Sequence, residues 1–356
     1  MKPYEFISHI IDDTIASALA HDRYMILYFR DHIRFNHALW KSEPGSTPHE
    51  WLNHKFMSGN YRYHSEWKKQ DKLFGGKAKD YGDINFIDHS WEPVFEILDK
   101  PFWQSVKEHK LPHCLIHSEH SSEDIKNLQL PNAHWFSHAY LCSEFYFRHY
   151  QKLKMVYDYK SRPINYPWIC ANRLIRKHRT SFLELINLND GVYSFMNPDP
   201  NGLVYTGPVL PNSFDDHTNS SAEIKVDDLT PWNTSFLHIV SETVWQDKIH
   251  FTEKVFKPIV LHQPFVVLQA PGSLEYLRSY GFKTFGDWWD ESYDTIQDPN
   301  ERMQAIADIV NWIPTQNLHR MRTEMSGVLE HNFRHFYENI PDIVLDELGV
   351  NLKNAV

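Results

Sequence analysis

Glu253 and Lys254 stand side by side in "HFTEKVFKP", with Thr252 before them and Lys257 one helical turn past Glu253. Threonine is a helix-capping residue type, so the spacing predicts a helix that starts at Glu253 and is capped by Thr252. A helix N-terminus offers free N–H donors and a positive dipole to a phosphate. A carboxylate beside it is the acceptor that a ribose or sugar hydroxyl requires. Lys254 would then neutralise a diphosphate leaving group. Glu242, upstream in "SETVWQDKIHFTEK", falls just past a candidate strand. The competing explanation for Glu253 and Lys257 is an ordinary i, i+4 helix pair, worth about 0.2–0.5 kcal/mol.

A second group lies in "NRLIRKHRTSFLELI". Arg173, Arg176 and Arg179, with Lys177, surround the start of a helix that follows a strand. Cations at that end oppose the helix dipole and cost stability. Arginine forks match phosphate oxygens in pairs, so this placement points to a bound anion. The wider stretch from Arg148 to Arg179 holds nine Lys/Arg against the single acid Asp158. It reads as a basic belt, with a solvated helix face as the alternative.

Other clusters carry weaker chemistry. The densest run among the 23 histidines, "HCLIHSEH" (113–120), lacks a cysteine partner at ligand spacing, and no HExxH occurs. The run "DWWDESYD" holds Asp287, Asp290, Glu291 and Asp294. It reads as an acidic turn rather than a divalent-cation site, so no metal is expected. No GxGxxG or Walker loop appears, which argues against a dinucleotide dehydrogenase or a P-loop kinase.

The elements that must position these residues alternate between strand and helix. Strand-like runs fall at 24–29, 84–88, 113–118 and 133–138, with a helical pattern in "PVFEILDKPFWQSVKEH" between them. Residues 41–82 are polar, aromatic and turn-rich. The segment 157–167, with two prolines, reads as a linker. Beyond it come strands at 168–173, 235–240 and 264–268, separated by helices and by an irregular polar stretch at 197–230. The helix after Arg173 should stop at Gly191. Ser273 should cap a helix that Gly281 ends. Met303, Ile306, Ile309 and Val310 are spaced for one buried helix face. The expected architecture is therefore α/β, with a first domain over 1–157 and a second over 168–356. Ligands bind outside the carboxyl ends of strands in such sheets.

Composition agrees with a packed protein. The 356 residues are 42% hydrophobic, and 12 Trp, 18 Tyr and 22 Phe supply large groups for a core and a cleft. The net charge of -10 does not suit a general nucleic-acid binder. Cys114, Cys142 and Cys170 lack CxxC spacing and read as reduced thiols. The sequence shows no signal peptide and no apolar run long enough to span a membrane, so a cytoplasmic location is expected.

The second half resembles the donor-binding domain of the α1,3-fucosyltransferase family, whose architecture, called GT-B, has two Rossmann-like domains facing across a cleft. In that family a short strand leads to a helix bearing an arginine, and a glutamate precedes an aromatic-x-Thr-Glu-Lys motif. Here "ANRLIRKHRTSFLEL" matches the first part, with Arg179 at the family's arginine. Glu242 precedes "HFTEK", with one extra residue and His250 where the family usually has tyrosine, and "QPFVVLQAPG" follows. The match spans about 168–272. The tail "APGSLEYLRSYGFKTFGDWWDESYDTI" resembles glycosyltransferase-like proteins of phages and giant viruses, so GDP-fucose is not implied.

The resemblance implies a glycosyltransferase with a nucleotide-sugar co-substrate and no cofactor. Arg179, Glu253 and Lys254 would contact the diphosphate and ribose, with Arg173, Arg176, Glu242, Thr252 and Lys257 completing the donor site. By analogy with inverting GT-B enzymes, a carboxylate of the first domain deprotonates the acceptor hydroxyl. Glu119 and then Asp88 are the candidates, since each follows a strand-like run. The acceptor is a glycan or a hydroxymethylated base of phage DNA. The alternative function is a non-catalytic nucleotide-sugar or glycan-binding protein on a degenerate form of the fold.

Overall fold

The computed structural model describes residues 147–195 and 229–340, most of 113–140, strands at 25–29, 61–64 and 84–89, and isolated positions at 143, 343, 344 and 347. Expectations over 93–109 and 197–228 lie outside the described residues. The chain divides into two compact units, Met1–Phe145 with Pro341–Val356, and Tyr146–Ile340.

The first unit contains β1 (Met25–Phe29), β2 (Tyr61–His64), β3 (Ile84–His89), β4 (His113–His117) and β5 (Ala133–Ser137). They form one sheet in the order β2-β1-β3-β4-β5, with every neighbouring pair parallel. The short helix α1 (Glu123–Asn127) follows β4. The strand β2 falls in the stretch expected to be turn-rich. "YRYH" has too few apolar residues to stand out locally, and its parallel pairing with β1 makes it a strand.

The second unit holds β6 (Tyr166–Ala171), β7 (Gly191–Ser194), β8 (Ser235–Ser241) and β9 (Phe265–Leu268). Their order is β9-β8-β6-β7, again all parallel. Every residue of β7, β8 and β9 is buried, as expected of a parallel sheet covered on both faces. Helices α2 (Lys177–Leu183), α3 (Glu253–Val260), α4 (Ser273–Ser279), α5 (Pro299–Trp312), α6 (Leu318–Glu324) and α7 (Ser326–Arg334) belong to the same unit, with single turns at Lys154–Tyr157 and Thr230–Asn233. Asp298 caps α5 by accepting from the amides of Asn300 at 2.8 Å and Glu301 at 2.9 Å, and Pro299 opens the helix. Met303, Ile306, Ile309 and Val310 are all buried, as their spacing predicts.

Three local expectations change. Helix α2 ends at Leu183, and Gly191 opens β7 instead of stopping the helix. The reason is a close approach: a Cβ on Gly191 would lie 2.1 Å from the ring of Trp168 on the neighbouring strand. Trp168 is 1% exposed and cannot move aside. Gly191→Ala is expected to cost about 1–3 kcal/mol of stability by overpacking, read as a lower urea midpoint. An unchanged midpoint would mean that the indole yields freely.

Ser273 does not cap α4. Its hydroxyl donates to the Ala270 carbonyl, while Gly272 takes a left-handed φ of 82° at the N-cap. Asp294 supplies the cap from a distance, accepting from the amides of Leu274 at 2.9 Å and Glu275 at 3.0 Å. Gly281, at φ 89°, ends the helix as expected.

The segment read as a linker is packed. Tyr159 stacks on His262 with centroids 4.5 Å apart, and the buried Arg162 donates to the Leu261 carbonyl. Arg322 in turn donates to the carbonyls of Tyr159 at 3.1 Å and Arg162 at 2.7 Å. Among the described residues, no helix is long and apolar enough to cross a membrane.

Candidate functional site

In chain order the second sheet reads 2-1-3-4, so the connections reverse direction between its first strand, β6, and its third, β8. Loops leaving two such strands at their carboxyl ends diverge and leave a crevice, the usual ligand position in open α/β sheets. From β6 the chain runs into Asn172, Arg173, Arg176 and α2. From β8 it runs into Glu242. Both groups singled out in the sequence therefore meet at one place, although a long stretch of chain separates them.

Arg179 joins the two loops. It is 3% exposed, and its guanidinium donates to the carbonyls of Leu174 at 2.9 Å, Ser241 at 3.0 Å and Glu242 at 3.4 Å. Burial, followed by the charge of Arg176, lowers its pKa to about 10. Its Nε has no hydrogen-bond partner, and neither do the buried Nε atoms of Arg173 and Arg176. Arg176 is the N-cap residue of α2 and makes no side-chain cap bond. Two further buried polar atoms at the strand ends lack partners, Asn172 Oδ1 and Ser241 Oγ. Unsatisfied polar atoms are rare in native proteins and costly. They gather where the β6 and β8 loops leave the sheet.

Glu242 is the centre of the other half. It is fully buried, and its carboxylate accepts from the Thr252 amide at 3.1 Å and the Thr252 hydroxyl at 2.7 Å. The same hydroxyl caps α3 by accepting from the Lys254 amide at 3.4 Å, and it accepts from Lys254 Nζ at 2.9 Å. Lys254 Nζ lies 3.7 Å from Glu242 and 3.5 Å from Glu253. Burial pushes the Glu242 carboxyl above its ordinary range, although Lys254 and Thr252 pull it down. Thr252, Glu253, Lys254 and Glu242 thus form one connected group at the start of α3. Lys257 stands apart from it: the chain is buried there, and Nζ lies 3.6 Å from the ring centroid of Trp232.

Several neighbours had no signal in the sequence. His178 lies between the arginines, with Nε2 3.1 Å from the Glu242 carbonyl. A carbonyl only accepts, so Nε2 carries the ring proton. Its ring stacks on Trp245 at 6.2 Å, and the Arg302 guanidinium lies 4.3 Å from the centroid of the same indole. Asn172 and Ser241 could be found only from the strand order.

In the first unit, Glu119 lies just past the end of β4. It is 1% exposed, its carboxylate accepts from the Ser122 hydroxyl at 2.5 Å, and its amide donates to His117 Nδ1 at 3.2 Å. Asp88 sits near the carboxyl end of β3, in register with Phe29 and Ile116. Both candidate bases thus lie at or just past the carboxyl ends of strands of the first sheet.

The basic belt is not continuous. Arg162 and Arg179 are buried, Lys160 pairs with Glu330 at 2.8 Å, and Lys154 lies 3.8 Å from Asp158. Among the described residues, no group of three or more His, Cys, Asp or Glu side chains could hold a metal ion.

Burial lowers three histidine pKa values in this unit: His178 to about 4, helped by Arg179; His238 to about 3, helped by Lys257; and His262 to about 3, helped by Arg162. Each folded value lies below the unfolded one. The unfolded chain therefore binds more protons between them, and stability falls as pH drops from 6.5 toward these values. The slope is at most about 1.4 kcal/mol per pH unit for each histidine that stays neutral. Glu242 and Glu291, both raised by burial, act in the opposite sense. Urea unfolding between pH 7 and 4 is expected to show a net loss of stability. Proton NMR should show His238 and His262 still neutral at pH 5, and ordinary titration near 6.5 would contradict this.

Comparison with known proteins adds no assignment: neither a scan of protein-family models nor a search of curated proteins finds a match.

Proposed function

We propose that this protein is a glycosyltransferase that moves a sugar from a nucleotide-diphosphate donor to an acceptor hydroxyl, with inversion. The observation that carries the reading is the convergence at the β6–β8 switch point. There the start of α2, with Arg173, Arg176 and Arg179, meets the buried Glu242 and Thr252 and the partly exposed Lys254 at the start of α3. The arginines and Lys254 suit the diphosphate, and Glu253, 15% exposed at its side chain, suits a ribose hydroxyl. A GT-B arrangement of the two Rossmann-like units belongs to this proposal, as does an acceptor that is a glycan or a hydroxymethylated DNA base.

Glu119 serves as the base in this reading. A Glu119 carboxylate would take the acceptor proton as the acceptor oxygen bonds to the anomeric carbon. The bond from that carbon to the diphosphate oxygen breaks in the same step, and the negative charge leaves with the nucleotide diphosphate beside Lys254 and the arginines. The Ser122 hydroxyl donates to the carboxylate, and the Glu119 amide donates to His117 Nδ1.

The test is a thermal-shift panel of UDP-, GDP-, TDP- and CMP-sugars. A ligand at 100 times its dissociation constant stabilises by about 2.7 kcal/mol. One nucleotide should stand out, and Glu119→Gln should then abolish transfer or donor hydrolysis while leaving the shift intact. No shift with any donor would remove the glycosyltransferase reading. A shift without turnover would leave the non-catalytic nucleotide-sugar-binding alternative.

A further inference from the structure

His178 has no role in the chemistry above, yet it stands among the groups that would meet the charge of a donor. It is the second residue of α2, half-buried, and its Nε2–H donates to the Glu242 carbonyl at 3.1 Å. The same carbonyl accepts from Arg179 at 3.4 Å, so the imidazole and that guanidinium converge on one oxygen. The ring lies nearly parallel to the Trp245 indole, at an interplanar angle of 10°. Nε2 is committed as a donor, so a second proton enters at Nδ1.

The charges around this ring are mainly positive. On its own helix the neighbours are Arg176, Arg179 and the exposed Lys177, and burial, then Arg179 and Arg176, hold the imidazole neutral. Arg302 of α5 lies 4.3 Å from the centroid of the Trp245 indole. The Glu242 carboxylate is taken up by bonds from Thr252. At the start of α3, Glu253 lies 3.5 Å from Lys254 Nζ, and its charge acts on Arg179. A group that nearby cations hold neutral gains a proton when an anion covers those cations, because the field at the ring then favours the charged form.

We propose that His178 takes up a proton when a diphosphate occupies the arginine crevice, so that the crevice binds its anionic ligand more tightly as pH falls. The inference rests on the diphosphate-binding part of the proposed function and not on sugar transfer. Linkage fixes the sign. If the bound form holds the proton more tightly than the free form, ligand affinity rises as pH drops through the interval between the two titrations. An opposite charge within about 4–6 Å moves a titration by about 1–3 pH units, which puts that interval below pH 7. Protonation of Glu253 or Glu242 would strengthen anion binding in the same direction, so the contribution of His178 is the part that disappears with the imidazole.

The probes are dimethyl diphosphate, UDP-glucose and GDP-mannose, diphosphate diesters whose charges stay fixed between pH 8 and 4.5. In the full-length protein, the His178 ring resonance, assigned by through-bond correlation to its own backbone amide, is titrated with and without the tightest-binding probe at saturation. Its midpoint is expected to rise by about 1 pH unit or more on binding, while the buried His238 stays neutral in both states. Calorimetry should give an affinity about twofold or more higher at pH 5 than at pH 7. His178→Gln, whose amide can still donate to the Glu242 carbonyl, should show a flatter pH dependence. If none of the three probes saturates, the diphosphate site falls and this inference falls with it. Saturation with an unmoved His178 midpoint overturns the inference alone and leaves the arginine site standing, as does an unchanged pH dependence in His178→Gln. The resonance is read in the parent protein, so the test stays decisive should the variant fail to fold.

Discussion

Arg179→Ala is expected to lower the unfolding free energy of the second unit by about 3 kcal/mol, one of the largest single-residue effects there. The substitution removes a charged donor from the carbonyls of Leu174, Ser241 and Glu242, of which Glu242 keeps His178. Each lost bond to a charged group is worth about 1.5–3 kcal/mol. Relief from burying a guanidinium offsets part of that sum, since burial already lowers the Arg179 pKa. Arg179→Lys should recover less than half, because an ammonium on a straight stem cannot span three carbonyls as the planar fork does. Urea unfolding of both variants gives the comparison. A loss below about 1 kcal/mol for alanine would show that the guanidinium is held for the ligand rather than for the crevice walls.

Lys254→Ala should weaken binding of a nucleoside diphosphate about tenfold or more while leaving the bare nucleoside within about twofold. Lys254 Nζ lies at the start of α3, 18% exposed at its side chain, beside Thr252, Glu242 and Glu253. Its removal has a second consequence. Glu242 would stay buried with Thr252 as its remaining partner in this group, so its pKa should rise further and the variant should lose stability as pH rises. Adding Glu242→Gln to the variant should remove that pH dependence. Calorimetry with the diphosphate and the nucleoside of the responding base separates the two effects. Equal losses for both ligands would retire the diphosphate role and leave Lys254 as the counter-charge of Glu242.

The residue types that make the crevice were legible in the chain. Thr252, Glu253 and Lys254 start a helix because a hydroxyl side chain can accept from an amide two residues on, a preference that acts locally. The strands at 235–241 and 265–268 were legible because a parallel strand buried on both faces needs a continuous apolar run. Local rules failed where the deciding partner is distant in sequence. "GVYS" is too short to announce β7, and Gly191 looks like a helix stop until Trp168 is laid over it. Ser273 looks like a cap until Asp294 reaches the same amides. The arginine group and the Glu242 group were visible separately, but their meeting depends on strand order. Strand order is set by which buried surfaces fit together across the whole sheet, and no local pattern encodes it. The same limit hid the partnerless Asn172 Oδ1 and Ser241 Oγ.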